Sequence, residues 1–164
     1  MPKNTPMRRK ERLVTDEEAI RRLLTGQNIL HLGLYDEDRI YVVPVNYSYT
    51  LERGKLTLYF HGAVAGLKHD ILEKRPDVGF AIDGAAEVIP SEASASAFTS
   101  HYQSLIGSGR VTAIEDTEEK KEILARFMKH YSTKDWEITD AMACHVAVYR
   151  LDADEFQVKM NPGR

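Results

Sequence analysis

Apolar and polar residues alternate along several stretches of this chain, and turn formers or segments of helical period separate them. Over residues 28–35, Leu30, Leu32 and Leu34 fall on one side and Ile29, His31 and Gly33 on the other, which predicts a strand with one buried face. Asp36-Glu37-Asp38 makes a turn. Residues 40–50 read as one long strand rich in Val and Tyr and interrupted by Pro44. Glu52-Arg53-Gly54 turns the chain again, and residues 55–61 alternate Leu56, Leu58 and Phe60 against Thr57, Tyr59 and His61. Connections this short predict three successive antiparallel strands.

Helical period appears in three places. Thr15-Asp16-Glu17-Glu18 has the form of a capping box, with Ile20, Leu23 and Leu24 on one face behind it and Gly26 as the closing residue. Such a helix would cover one opening of a barrel. Residues 65–75 predict a short helix with Ile71 and Leu72 as its apolar contacts and Pro76 as its stop. A third helix starts at Thr117 and places Ile123, Leu124, Phe127 and Met128 on one face, with acids in its first turn and Lys129 and His130 in its last.

The remaining segments read as strands. Residues 78–83 and 86–89 meet at Asp83-Gly84, residues 90–97 form a loop or bend, and residues 98–114 form a longer strand. Gly107 and Gly109 within it imply a bulge or a close approach to the backbone. Residues 144–151 and 155–160 give two closing strands separated by Asp152-Ala153-Asp154. No repeat, linker or second core interrupts residues 1–164, whose first 14 residues read as a partly extended arm. The order predicts one mainly β domain, an antiparallel barrel with a few peripheral helices.

Composition narrows the functional classes. Hydrophobic residues make up 43% and charged residues 29% of 164, so the chain has the balance of a folded domain. A formal net charge of -3 argues against nucleic acid as a partner. No run approaches the roughly 18 apolar residues of a membrane span, and the expected setting is soluble and cytoplasmic. The single cysteine, Cys144, excludes an internal disulfide and is expected to be buried and inert.

The motifs for common chemistries fail one by one. Gly107-Ser108-Gly109 lacks the third glycine of a dinucleotide fingerprint and runs into strand formers. The segment 62–68 has one residue too few for a P-loop and lacks its Gly-Lys-Ser/Thr ending. The six histidines show no metal-ligand spacing, so no metal is expected. Residues 61–69 are more informative, because Lys68 and His69 fall in the first turn of a helix that follows a loop of small residues. A cation there faces the positive pole of the helix, which is locally unfavourable by about 0.3 to 1 kcal/mol unless an anion lies between. A phosphate against the free amides would reverse the sign; otherwise Lys68 is a solvated residue of an exposed helix.

At this junction Tyr59-Phe60-His61-Gly62-Ala63 and Gly66-Leu67-Lys68 resemble the F-H-[SG]-A-x-x-G-x-K signature of the nitroimidazole-resistance branch of the pyridoxamine-phosphate-oxidase-like flavoproteins. Met7-Arg8-Arg9-Lys10, Val42-Val43-Pro44-Val45-Asn46 and Tyr102-Gln103-Ser104 with Gly109-Arg110 agree with that family in order. The resemblance implies an FMN-binding split β-barrel. It places Val43, Pro44, Val45 and Asn46 beside the isoalloxazine, and His61, Ala63 and Lys68 at the phosphate. It also implies a homodimer, in which Ser104 contacts the flavin bound to the other subunit. The implied activity is reduction of a small acceptor such as a nitroimidazole by FMN, itself reduced by a nicotinamide nucleotide. A non-catalytic flavin or haem module, with His61 or His31 as axial ligand, is the alternative, and an interaction protein without cofactor is a third. No catalytic acid is identified. The oxidases proper end in a segment carrying basic and aromatic substrate-binding residues, whereas this chain stops at Met160-Asn161-Pro162-Gly163-Arg164, so pyridoxamine-phosphate oxidation is not expected.

Overall fold

A computed structural model describes residues 7–84 and 86–161. A 3-10 turn at Lys10–Arg12 leads into β1 (Leu13–Val14), α1 (Glu17–Gly26), β2 (Ile29–Asp36), β3 (Arg39–Asn46), β4 (Ser48–Glu52) and β5 (Lys55–Gly62). Then come α2 (Leu67–Lys74), β6 (Asp77–Asp83), β7 (Glu87–Ile89), a 3-10 turn at Ala95–Ala97 and β8 (Thr99–Ile114). The chain continues through α3 (Thr117–Tyr131), α4 (Asp140–Cys144) and β9 (Ala147–Asn161). All the pairings are antiparallel, and the main path of the sheet runs β3-β2-β6-β8-β9-β5-β4. The fold is the mainly β split barrel expected from the sequence. Residues 1–6 of the expected arm lie outside the described residues.

The inward positions are those that period two selects. Leu30, Leu32, Leu56, Leu58, Phe60 and Ile82 all bury their side chains in one core, each contributing about 1.5–3 kcal/mol by leaving water. Leu23 and Leu24 of α1 are fully buried against it. Helix starts differ from the sequence reading by one residue. The Asp16 carboxylate, not the Thr15 hydroxyl, accepts from the Ala19 amide at 2.8 Å, and Asp116 rather than Thr117 accepts from Glu119 at 2.8 Å.

The single strand expected over residues 40–50 is two. Tyr47 breaks it, because its backbone is hydrogen-bonded to a side chain instead of a neighbouring strand: its amide donates to the Tyr131 hydroxyl at 3.1 Å, and that hydroxyl donates back to the Tyr47 carbonyl at 2.8 Å. The buried Tyr47 ring reaches α1, where its hydroxyl donates to the Leu24 carbonyl at 2.7 Å. The break lets β3 pair with β2 at one edge of the path and β4 pair with β5 at the other. Consecutive segments of the chain thus form the two edges of the split, in place of three strands side by side.

The two strands expected to meet at Asp83-Gly84 do not pair with each other: β6 and β7 both pair with the long β8, Asp77–Asp83 against one part and Glu87–Ile89 against its start. The two closing strands expected at the C-terminus are one, β9. Asp152-Ala153-Asp154 continues that strand with a register shift opposite Ser108 and Gly109. A side chain at Gly109 would strike the Asp152 carbonyl oxygen and lie 2.9 Å from the Ala153 Cα, so the glycine permits both the bulge and the close approach. Cys144 ends α4 and is exposed, not buried, because this short helix lies on the outside of the barrel.

Candidate functional site

The outward face of β5 ends at His61. There α3 and α4 stand off the sheet and leave a cavity of about 410 Å³. Asn46 and His61 lie at its polar side, and Phe127, Met128, Tyr131 and Met142 supply much of its apolar wall. The Phe127 ring meets the His61 imidazole edge-on with centroids 4.9 Å apart. Asn46 is held by its amide, which donates to the Asn28 carbonyl at 3.1 Å. The site therefore pairs one imidazole and one carboxamide with a large apolar surface, a composition typical of pockets for small organic molecules.

Beyond His61 the chain forms the small-residue loop and α2. Gly66 precedes the helix at φ 124°, a conformation that only glycine adopts readily, and no side chain caps the first-turn amides. By contrast α1, α3 and α4 are each capped, by Asp16, Asp116 and Thr139. Lys68 folds back over the strand end: a Cβ on Gly62 would lie 2.6 Å from its Nζ. Its ammonium stands 5.5 Å from the centre of the Phe60 ring and 5.9 Å from that of Tyr149. Among the described residues no carboxylate pairs with it, and burial lowers its pKa from the usual lysine value. His69, expected to share this role, does not: its Nδ1 lies 2.9 Å from the Tyr149 hydroxyl and its Nε2 3.3 Å from Glu73.

His61 is pushed below the ordinary histidine pKa, first by burial and then by the Lys68 charge. One side of the ring remains open to solvent, but the packed side and the nearby ammonium both favour the neutral imidazole. A histidine of depressed pKa binds its proton less readily in the folded chain than in the unfolded one, where it titrates near ~6.5. Its contribution to stability is therefore complete above that pH and is lost as pH falls through the lower, folded value. Thermal melts of the protein between neutral and mildly acidic pH should show a midpoint that drops on acidification, and His61→Gln should flatten part of that drop. Identical pH slopes for the two proteins would rule this out.

The structure divides the residues implied by the family resemblance. His61 and Asn46 line one cavity; Gly62, Ala63 and Lys68 follow directly from the same strand end. On β3, Pro44 and Asn46 are exposed on the outer face, whereas Val43 and Val45 turn inward, partly buried, and pack on the core. Pro44 lies on an edge of the sheet path, where a missing amide is tolerated. Ser104 does not line the His61 cavity; it pairs with Asp83 of β6 and with Lys159 of β9. His31 is occupied, with its Nδ1 3.4 Å from Asp83. Sequence reasoning missed the far wall, Tyr131, Ile138, Met142 and Val146, since α4 carries no periodic signal and Phe127 and Met128 read as core.

Solved structures place this geometry among known folds. A Bacteroides thetaiotaomicron protein provisionally named for 5-nitroimidazole antibiotic resistance is 25% identical, with a TM-score of 0.79 over 90% of this chain and 86% of the other. The flavocytochrome Anf3 of Azotobacter vinelandii is 22% identical, with a TM-score of 0.80 over 96% of this chain and 73% of its own. A FAD and haem binding protein of Mycobacterium smegmatis is 16% identical, with a TM-score of 0.75 over 93% of this chain and 74% of that one. The curated proteins give no match. No helix among the described residues is long and apolar enough to cross a membrane, and no His, Cys, Asp or Glu cluster there could hold a metal ion. A family model described as pyridoxamine 5'-phosphate oxidase matches residues 16–160, nearly the whole barrel, and the chain belongs to that family.

Proposed function

We propose that the chain is an FMN-dependent reductase of a small acceptor such as a nitroimidazole. The observation that carries this reading is the junction of β5 and α2, where a half-buried Lys68 with no carboxylate partner among the described residues stands at an uncapped helix start beside the open backbone of Gly62. These are the features of a phosphate cradle: free amides, a cation, and no Cβ in the way. His61, Ala63 and Lys68 would hold the phosphate end, and the outer face of β3 at Pro44 and Asn46 would lie along the ring. FMN, when bound, supplies a redox-active isoalloxazine that takes electrons from a nicotinamide nucleotide and gives them to an acceptor. The chain's own contribution is to bind, orient and shield. The neutral His61 imidazole and the Asn46 carboxamide present hydrogen-bonding groups at the polar side of a cavity whose apolar wall suits a flat organic acceptor.

A second copy would complete the site. Ser104 does not line the His61 cavity of its own chain, and its proposed flavin contact is assigned to the partner subunit. The outer face of β2, β3, β6 and β8 offers a surface for that copy: Ile40, Val42 and Ile106 are 65%, 60% and 56% exposed there, around Gly33 and Gly79. Exposed apolar residues around a flat glycine strip suit a self-complementary contact. Sedimentation at micromolar concentration is expected to give twice the 18.6 kDa chain mass. A monomer that binds FMN at full stoichiometry would contradict the shared site.

The activity itself is tested anaerobically. The FMN-loaded protein, reduced chemically or by a nicotinamide nucleotide, should consume a nitroimidazole, and His61→Ala should lower flavin occupancy more than turnover at saturating FMN. An unchanged nitroimidazole after hours with pre-reduced holoprotein would remove the reductase reading. One observation favours a second reading, a haem module: His61 presents a neutral imidazole to an apolar cavity, and two structural neighbours are named for haem or cytochrome. The absorbance spectrum after reconstitution separates flavin from haem.

A further inference from the structure

A second cavity lies on the other side of α3, between α1 and the open edge of β4. It has a volume of about 490 Å³, within the range of small-ligand pockets. Its chemistry differs from that of the His61 site. Arg21, Arg126, Lys129 and His130 line it together with the hydroxyl side chains of Thr25 and Ser48, and Glu52 is the one carboxylate of its wall. The chain as a whole carries a formal charge of -3, so this concentration of cations runs against the overall sign. Lys129 and His130 suit the negative end of α3, but that end accounts for neither Arg126 nor Arg21.

Ser48 supplies an independent sign of a ligand. The residue is 1% exposed, and its Oγ is buried without a hydrogen-bond partner among the described residues, although it belongs to the wall of the cavity. A buried hydroxyl left unpaired is unfavourable unless something that binds there accepts from it. The basic side chains around it are held in place. The Arg21 guanidinium lies 2.6 Å from Glu17 and also donates to the Leu51 carbonyl, Arg126 lies over the Tyr59 ring at 5.7 Å, and His130 Nε2 donates to the Gln27 carbonyl at 3.2 Å. Lys129 has no ion pair among the described residues, which leaves an ammonium and a hydroxyl for the same guest.

We propose that this cavity binds the phosphate group of a small organic phosphate monoester, with Lys129 and Arg126 as counter-charges and Ser48 as a donor. The site is separate from the Lys68 cradle and does not depend on the flavin reading. The test is calorimetric titration of the Lys68→Ala protein, whose β5–α2 cradle lacks its cation, with phenyl phosphate and, in parallel, with inorganic phosphate. Phenyl phosphate should bind saturably and more tightly than inorganic phosphate. Lys129→Ala and Ser48→Ala, each combined with Lys68→Ala, should weaken it by about tenfold or more, in line with loss of a charge-assisted bond. Without ligand, Ser48→Ala should melt no lower than the wild type, because it removes an unpaired group; a purely structural serine would lower the melting point and leave binding alone. Absence of saturable binding at millimolar ligand, unchanged affinity in both cavity variants, or equal affinity for inorganic phosphate would each overturn the proposal.

Discussion

Phe127→Ala should destabilise the protein by about 3–5 kcal/mol, the usual result of truncating a buried phenylalanine. Phe127 is 4% exposed, belongs to the central core, and is the α3 residue that meets His61 edge-on and stacks on Tyr131 at 6.0 Å. Its loss removes core contacts and merges the gap with the neighbouring cavity, so the surroundings cannot close over it. For a domain of this size the melting midpoint should fall on the order of 10 °C. Phe127→Leu, which keeps most of the volume, should recover the larger part of that loss. Melts of both variants check this; a shift of a degree or two for the alanine would mean that α3 is not packed as described.

Lys68→Ala should weaken FMN binding by about 1.5–3 kcal/mol, roughly 10- to 150-fold, and leave riboflavin binding nearly unchanged. The expectation follows from a cation that has no anionic partner among the described residues, stands at an uncapped helix start and is held below its usual pKa by burial. A phosphate would relieve that burial penalty by pairing. Gly62→Ala offers an orthogonal check, since its methyl group would occupy space 2.6 Å from Nζ and displace the side chain without removing its charge. It should weaken FMN in the same selective way. Equal weakening of FMN and riboflavin in Lys68→Ala would move the phosphate elsewhere.

The legible parts of this fold were those fixed by local pattern. Leu30-x-Leu32-x-Leu34 and Leu56-x-Leu58-x-Phe60 mark inward faces because side chains alternate along a strand, and these residues are buried as expected. Gly107 and Gly109 were legible as places of close approach for the same local reason. What escaped depends on partners distant in sequence. The break at Tyr47 is made by a hydroxyl from residue 131, the continuity of β9 by the length of β8, and the separate pairings of β6 and β7 again by β8. Each cap moved by one residue because Asp and Thr are adjacent at both helix starts, and propensity alone does not choose between them.

The candidate site was legible in the same uneven way. The charge logic of Lys68 at a helix start could be read without any structure, whereas the apolar wall could not. Phe127 and Met128 share a helical face with core residues, and only the stand-off of α3 and α4 from the sheet opens space beside them. Ser104 shows the limit of reading a motif in order along the chain. Its position in the sequence agrees with a flavin contact, yet it is not part of the wall of the His61 cavity, so its role rests on a second subunit.

The central claim, that a flavin mononucleotide is held by its phosphate at the β5–α2 junction, is tested most directly by titrating the apoprotein with FMN and following quenching of flavin fluorescence, with riboflavin in parallel. The prediction is saturation at one FMN per chain with clearly weaker riboflavin binding. Binding of neither flavin, or equal affinity for both, would contradict it.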